Sequence, residues 1–76
     1  MKRSEYLLRQ FKNFGENVEK FRIGKGLSVA ELSELTGIRK EYIKKIEKGE
    51  SYGIRILTIK KIADALEIHL KELFRE

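Results

Sequence analysis

Residues 27–49 read LSVAELSELTGIRKEYIKKIEKG, and they contain the clearest helix boundaries in the sequence. Ser28 precedes Glu31 by three residues, the spacing of a capping box, in which hydroxyl and carboxylate each accept a hydrogen bond from an otherwise unpaired amide. A helix is therefore expected to begin at Ser28 and to end at Gly37, because glycine adopts the left-handed conformation that closes a helix. The residues expected to face inward from this helix are Leu32 and Leu35.

The residues after Gly37 predict another short helix over 40–48, closed by Gly49. Its apolar residues Ile43 and Ile46 are three apart, as on one face of a helix. Two short helices joined by a tight glycine turn are typical of DNA-binding proteins, in which the second helix enters the major groove. Residues 40–48 are therefore the candidate recognition helix.

Outside this pair the sequence predicts further helices, since it has no proline and little strand-like alternation. A first helix is expected over residues 15–23 and a fifth within residues 68–74. The fourth is marked by an inward-facing stripe of Ile56, Ile59, Ile62, Ala63 and Leu66. Residues 1–14 are expected to form an amphipathic helical arm, and residues 15–76 the helix-turn-helix domain. The predicted fold class is all-α.

The composition favours a polyanionic partner for one small domain. The 76 residues include 17 Lys and Arg against 12 Asp and Glu, a net charge of +5. No apolar run is long enough to span a bilayer, and no signal-peptide core follows Met1, so we expect a cytoplasmic protein without a membrane partner.

The candidate residues for catalysis and metal binding are few. The chain has no cysteine, and its one histidine, His69, is expected to be a helix cap or a surface residue. The segment Gly24-Lys25-Gly26 lacks the spacing of a phosphate-binding loop. No nucleophile stands with a base, so we expect no enzyme, no metal and no cofactor.

Several separated motifs resemble the Cro/CI repressor (XRE) helix-turn-helix family. In chain order they are GENVEKFR at 15–22, GLS at 26–28, EL at 31–32, GI at 37–38, Ile43, IEKG at 46–49 and IADAL at 62–66. The resemblance implies a compact five-helix, lambda-repressor-like domain that reads DNA with the helices at 28–36 and 40–48. It also implies a structural ion pair between Arg22 and Glu47.

The charged residues of the candidate recognition helix lie on the face opposite Ile43 and Ile46. Those expected to read bases are Lys40, Glu41, Lys44 and Lys45. Those expected to contact the DNA backbone are Ser28, Val29, Arg39, Tyr42, Lys48, Ser51 and Tyr52. Glu41 either accepts from cytosine N4 or supports the helix by pairing with Lys45, and the sequence leaves both alternatives open.

Several features depart from the family pattern, including Ser33 in place of the small alanine usual at the helix crossing. Val29 stands where the family often has a phosphate-contacting glutamine, so backbone amides at the helix start are expected to replace that contact. Arg39 stands where a Ser or Thr cap is usual, and it is expected to reach a phosphate instead. The loop at 49–54 is one residue longer than is usual in the family and lacks the common proline. The family pattern therefore fixes the positions of Ser51 and Tyr52 less well.

These features lead to the hypothesis of a transcriptional regulator, in the form of a repressor, that binds double-stranded DNA sequence-specifically as a homodimer on an inverted repeat. The alternative is an antitoxin-type or other partner-binding protein that uses DNA binding for autoregulation. A restriction-modification controller would look the same at this level.

Two regions compete for the dimer interface. The resemblance suggests the region of the fourth and fifth helices, where the candidate residues are Leu57, Leu70, Leu73 and Phe74. The N-terminal segment with Leu7, Leu8 and Phe11 is the competing interface.

Overall fold

The computed structural model describes residues 3–76 and, from Glu5 onward, their side chains. These residues form four α-helices and one 3₁₀ helix, with no strand among them. The elements are α1 (Arg3–Gly24), α2 (Val29–Thr36), α3 (Lys40–Glu47), α4 (Ile56–Ala65) and the C-terminal 3₁₀ helix (Leu70–Phe74). The all-helical prediction is confirmed.

The expected count of five α-helices is not confirmed. From Arg3 onward the predicted arm and the first helix form one continuous helix, α1, while residues 1 and 2 of the arm lie outside the described residues. The fifth element is only a five-residue 3₁₀ helix. That element is short and tightly wound, because the Glu72 amide donates to the carbonyl of His69, three residues earlier. The His69 ring caps it, with Nδ1 accepting from the Lys71 amide at 3.1 Å.

The helix caps predicted for α2 are confirmed. The Ser28 hydroxyl accepts from the Glu31 amide at 3.0 Å, and the Glu31 carboxylate accepts from the Ser28 amide at 2.8 Å. Gly37 follows α2 with φ of 75°. The α2–α3 connection is therefore a tight turn that starts from a left-handed glycine.

The core is a single cluster contributed by all five helices. Its buried apolar members are Phe14, Val18, Leu32, Ile43, Ile46, Ile59, Ile62, Ala63, Leu66 and Leu73. α1 packs against α3 and the 3₁₀ helix, and α2 packs against α3 and α4. The core thus holds α2 and α3 at a fixed angle, with the outer face of α3 left in solvent.

Three positions differ from expectation in their burial. Leu35 is 61% exposed, because α2 turns Leu32 and Thr36 inward and leaves Leu35 beside them on the solvent side. Ile56 is 63% exposed, because it occupies the first position of α4, beyond the edge of the core. Leu73 is fully buried, since the C-terminal 3₁₀ helix packs on α1, so it is not available to a dimer interface.

Gly15 lies in the interior of α1 and not at a helix start. A Cβ at this position would overlap the carbonyl oxygen of Ile46 and lie 3.1 Å from the carbonyl oxygen of Glu47. Glycine is therefore required here for the close approach of α1 to the last turn of α3.

The C-terminal residues are fastened to α1 by amide side chains. Asn17 Nδ2 donates to the carbonyls of Leu73 at 2.9 Å and Arg75 at 2.7 Å, and Asn13 Nδ2 donates to that of Phe74 at 3.3 Å. These bonds hold the 3₁₀ helix against α1. Within residues 3–76, no helix combines the length and the apolar character needed to cross a bilayer.

Candidate nucleic-acid interface

The two faces of α3 are sharply different. Ile43 and Ile46 are 0% and 1% exposed and face the core. On the opposite, exposed face lie the four candidates for base reading, Lys40, Glu41, Lys44 and Lys45. This face presents three ammonium groups and one carboxylate to solvent, a set of groups suited to nucleic-acid edges and phosphates.

The lysines of this face are not neutralised within the protein. No ion pair or hydrogen bond to a described residue involves the side-chain ammonium groups of Lys40, Lys44, Lys45 or Lys48. Elsewhere, by contrast, Lys25 pairs with Glu67, and Lys60 pairs with Asp64 at 2.7 Å. Four unpaired lysines therefore lie close together in the chain, on α3 and at its end.

An open groove runs along the first turn of α3. It is lined by Arg39, Glu41, Tyr42 and Lys45. Arg39 is the residue before the helix, and its guanidinium makes no hydrogen bond or ion pair with a described residue, so it is available to the groove. Tyr42 is half-buried against the core. No ion pair joins Glu41 to Lys45 among the described side chains, so neither charge is neutralised by the other.

Ser28 and Val29, two of the residues expected to contact the DNA backbone, lie at the start of α2. The Ser28 hydroxyl accepts from Glu31 but keeps its own proton for donation. The Val29 side chain packs against the core, so only its backbone faces outward from this helix start. Within residues 3–76 the amides of Val29 and Ala30 have no hydrogen-bond acceptor. Two amides are thus available to an anion.

The loop after α3 carries the last candidates for the DNA backbone. Lys48 caps α3 and is exposed, and Ser51 is half-buried. Tyr52 is 59% exposed, and its ring contacts that of Phe11 edge-on, with centroids 5.3 Å apart and an interplanar angle of 62°. The loop is therefore anchored to α1 at Tyr52.

Arg22 and Glu47 form a bidentate ion pair between α1 and the end of α3. Nε donates to Oε2 at 2.7 Å and Nη2 to Oε1 at 3.0 Å, with side chains only 11% and 6% exposed. The remaining nitrogen, Nη1, donates to the Leu27 carbonyl at 2.8 Å. The hydrogen bond to Glu47 raises the pKa of Arg22, more than burial lowers it. The pair therefore attaches the end of α3 to α1.

The family model for helix-turn-helix proteins, HTH_3, matches residues 18–73 of this chain. That match covers most of the domain, including α2, the turn and α3. The chain belongs to the HTH_3 helix-turn-helix family.

Two curated transcriptional regulators are similar to this HTH_3 chain over most of its length. SlrR of Bacillus subtilis (strain 168) is 35% identical over 60 residues, which are 79% of this chain and 40% of SlrR. SinR of Bacillus licheniformis is 29% identical over 62 residues, 82% of this chain and 56% of SinR. The chain therefore spans about half of the length of these XRE-type relatives.

A solved structure of similar size has the same fold. The restriction-modification controller protein C.AhdI from Aeromonas hydrophila superposes with a TM-score of 0.80 at 34% identity. The superposition covers 84% of this chain and 96% of the controller protein. The likeness thus extends over nearly the whole of that protein.

Some residues that support this HTH_3 site carry weak signals in the sequence. Gly15 interrupts a helix-forming stretch, and an interior glycine in a helix indicates either a break or a close approach. The contact of Phe11 with Tyr52 joins residues 41 positions apart and has no local signal. The bond from Arg22 to Leu27 likewise depends on the turn after α1.

Proposed function

We propose that this protein binds double-stranded DNA sequence-specifically as a transcriptional regulator, with α3 in the major groove, and that it acts by binding and not by catalysis. The observation that carries the proposal is the exposed face of α3, where the lysines have no carboxylate partner. Releasing counterions from DNA phosphates with these cations would supply much of the affinity. The regulator names of the XRE-type relatives support the same role, with repression as the expected outcome.

Glu41 supports sequence selectivity. It lies in the same groove as Arg39 and Lys45, at the centre of the positive face. A binder of phosphates alone would lose affinity by placing an acid there, whereas a carboxylate can accept from cytosine N4 and repel other bases. We therefore assign base reading to Lys40, Glu41, Lys44 and Lys45.

Contacts with the DNA backbone would flank the base-reading residues on both sides. On one side lie the start of α2, with the Ser28 hydroxyl and the Val29 amide, and Arg39 before α3. On the other side lie Lys48 and Tyr52. Together they would fix the register of α3 in the groove without reading sequence.

We further propose that the protein binds an inverted repeat as a homodimer. Leu57 is 71% exposed and Phe74 is 42% exposed, which leaves apolar surface on α4 and the 3₁₀ helix, while Leu70 is half-buried. A two-fold axis through this surface would set two copies of α3 in successive major grooves about 34 Å apart.

The exposed apolar residues of α1 favour a second candidate function, the binding of a protein partner. Tyr6, Leu7 and Leu8 are each about half exposed, beyond the edge of the core. An antitoxin-type protein would cover such a surface with its partner and use DNA binding for autoregulation. This candidate predicts a stable complex that forms without DNA.

Selection of bound duplexes from a randomised DNA pool tests the proposal. The affinity for the selected duplex is then compared with that for random DNA over a salt series, with Lys45→Glu as the test variant and Lys20→Glu on α1 as the charge-matched control. An enriched inverted repeat, lost in Lys45→Glu and kept in Lys20→Glu, is expected. No enriched sequence, or equal losses in the two variants, would overturn it.

A further inference from the structure

We propose that the DNA interface extends from α3 onto α1, where Lys12 contacts the DNA backbone as an additional cation. This inference rests on the proposed function, and it adds a residue outside the helix-turn-helix. Three observations carry it: the packing of Lys12 on Gly49, the attachment of its turn of α1 to the end of α3, and its free charge.

Lys12 lies directly against the residue that ends the recognition helix. A Cβ built on Gly49 would be 2.9 Å from Lys12 Cα, 3.2 Å from its Cβ and 3.5 Å from its Cγ. The stem of Lys12 therefore passes over Gly49, the neighbour of Lys48. Lys12 is therefore close to the end of α3, although it lies 37 positions before Gly49 in the chain.

Besides the packing of Lys12 on Gly49, the turn of α1 around Lys12 is attached to α3 and to the following loop at two points. Gly15 approaches the carbonyls of Ile46 and Glu47 so closely that no Cβ fits. On the other side of Lys12, the Phe11 ring contacts Tyr52. If α3 lies in the major groove and the following loop lies beside the DNA backbone, this turn of α1 is therefore held close to the DNA as well.

The charge of Lys12 is available for a phosphate. The residue is exposed, and no hydrogen bond or ion pair to the described part of the chain involves its side chain. Glu16 and Glu76 line the same shallow groove on α1, but neither carboxylate lies within 4.0 Å of the ammonium. Lys12 thus adds an unpaired cation, next to the end of α3, to those of Lys44, Lys45 and Lys48.

The test compares the salt dependence of DNA binding in the full chain and in single lysine variants. Lys12→Gln removes the charge and keeps most of the stem on Gly49. Lys20→Gln is the matched control, because Lys20 is also exposed on α1 but lies about 12 Å further along the helix axis. Lys48→Gln serves as the comparison for a residue beside α3.

We expect Lys12→Gln, like Lys48→Gln, to reduce the slope of log affinity against log salt by about 0.9, the value for one phosphate contact on duplex DNA. Over a fourfold rise in salt this slope change corresponds to about a threefold smaller loss of affinity. The effect should be equal on the selected duplex and on random DNA, because phosphates carry no sequence information. Lys20→Gln should keep the wild-type slope.

A slope for Lys12→Gln equal to that of Lys20→Gln, with steep salt dependence in the wild type, would overturn this inference and leave the proposed function intact. Failure of the wild type to bind duplex DNA at all would instead overturn the proposed function. Urea unfolding of each variant separates charge from packing: a changed slope with an unchanged midpoint supports the phosphate contact, and a lowered midpoint with an unchanged slope assigns Lys12 to packing alone.

Discussion

The guanidinium of Arg22 and the carboxylate of Glu47 join the first helix to the last turn of the recognition helix. Their two hydrogen bonds, of 2.7 and 3.0 Å, use the planar fork that arginine offers and lysine lacks. The third bond from Arg22, to the Leu27 carbonyl, ties the entry to α2 to the same group. A single arginine thus links both helices of the motif to α1.

Replacing Arg22 should destabilise the fold without touching the DNA face. Arg22→Ala leaves the Glu47 carboxylate nearly buried and unpaired, so the free energy of unfolding should fall by roughly 1 to 3 kcal/mol. Arg22→Lys should recover only part of the loss, because an ammonium cannot make both bonds and reach Leu27. Urea denaturation measures this, and an unchanged midpoint in Arg22→Ala would show that the pair contributes nothing to stability.

Gly15→Ala should be strongly destabilising although alanine is the better helix former. The intrinsic gain of about 1 kcal/mol is outweighed by the overlap of the new Cβ with the Ile46 carbonyl, which forces α1 away from α3. Gly24→Ala is the control, because a Cβ there meets nothing within 4 Å and φ is not in the left-handed region. Thermal unfolding should show a lower midpoint for Gly15→Ala and an unchanged or higher one for Gly24→Ala. Equal midpoints would refute the close approach.

Lys45 and Arg39 should differ in how they affect DNA binding. Lys45→Ala should lower affinity for the selected duplex by about tenfold and affinity for random DNA much less, since a base contact contributes roughly 1 to 3 kcal/mol of discrimination. Arg39→Ala should weaken both by similar factors, because a phosphate contact is sequence-independent. Fluorescence anisotropy on the two duplexes measures both ratios. If the two variants had the same ratio of affinity for the selected duplex to affinity for random DNA, the assignment of Lys45 to bases and Arg39 to phosphates would be wrong.

The capping box should make the stability of α2 depend on pH. The hydrogen bond from the Ser28 amide to the carboxylate lowers the pKa of Glu31 below its ordinary value. The ionised carboxylate therefore stabilises the fold fully above the ordinary pKa of glutamate, and this contribution is lost as the pH falls through the lowered value in the folded protein. Wild type should have a higher melting temperature than Glu31→Gln at pH 7, and the difference should vanish in acid. A constant difference across this range would contradict the ionic cap.

Sequence alone predicts the elements whose causes are local. The capping box of Ser28 and Glu31 and the left-handed Gly37 act through neighbouring atoms, so α2 and its end can be derived from spacing. The three-residue spacing of Ile43 and Ile46 likewise predicts which face of α3 is buried, and hence which charges are exposed. The family follows from the same motifs.

The tertiary structure decides what depends on residues distant in the chain. Leu35 fits a helical apolar pattern but remains exposed, because burial depends on which neighbouring helix packs beside it. The sequence predicts that Gly15 starts a helix, whereas in the structure it lies inside α1 where α3 packs against it. The sequence also predicts surplus apolar surface at Leu73, which the packing of the 3₁₀ helix on α1 buries. The position of Lys12 beside Gly49 has no local signal at all, since only the packing of α1 across the end of α3 brings the two residues together.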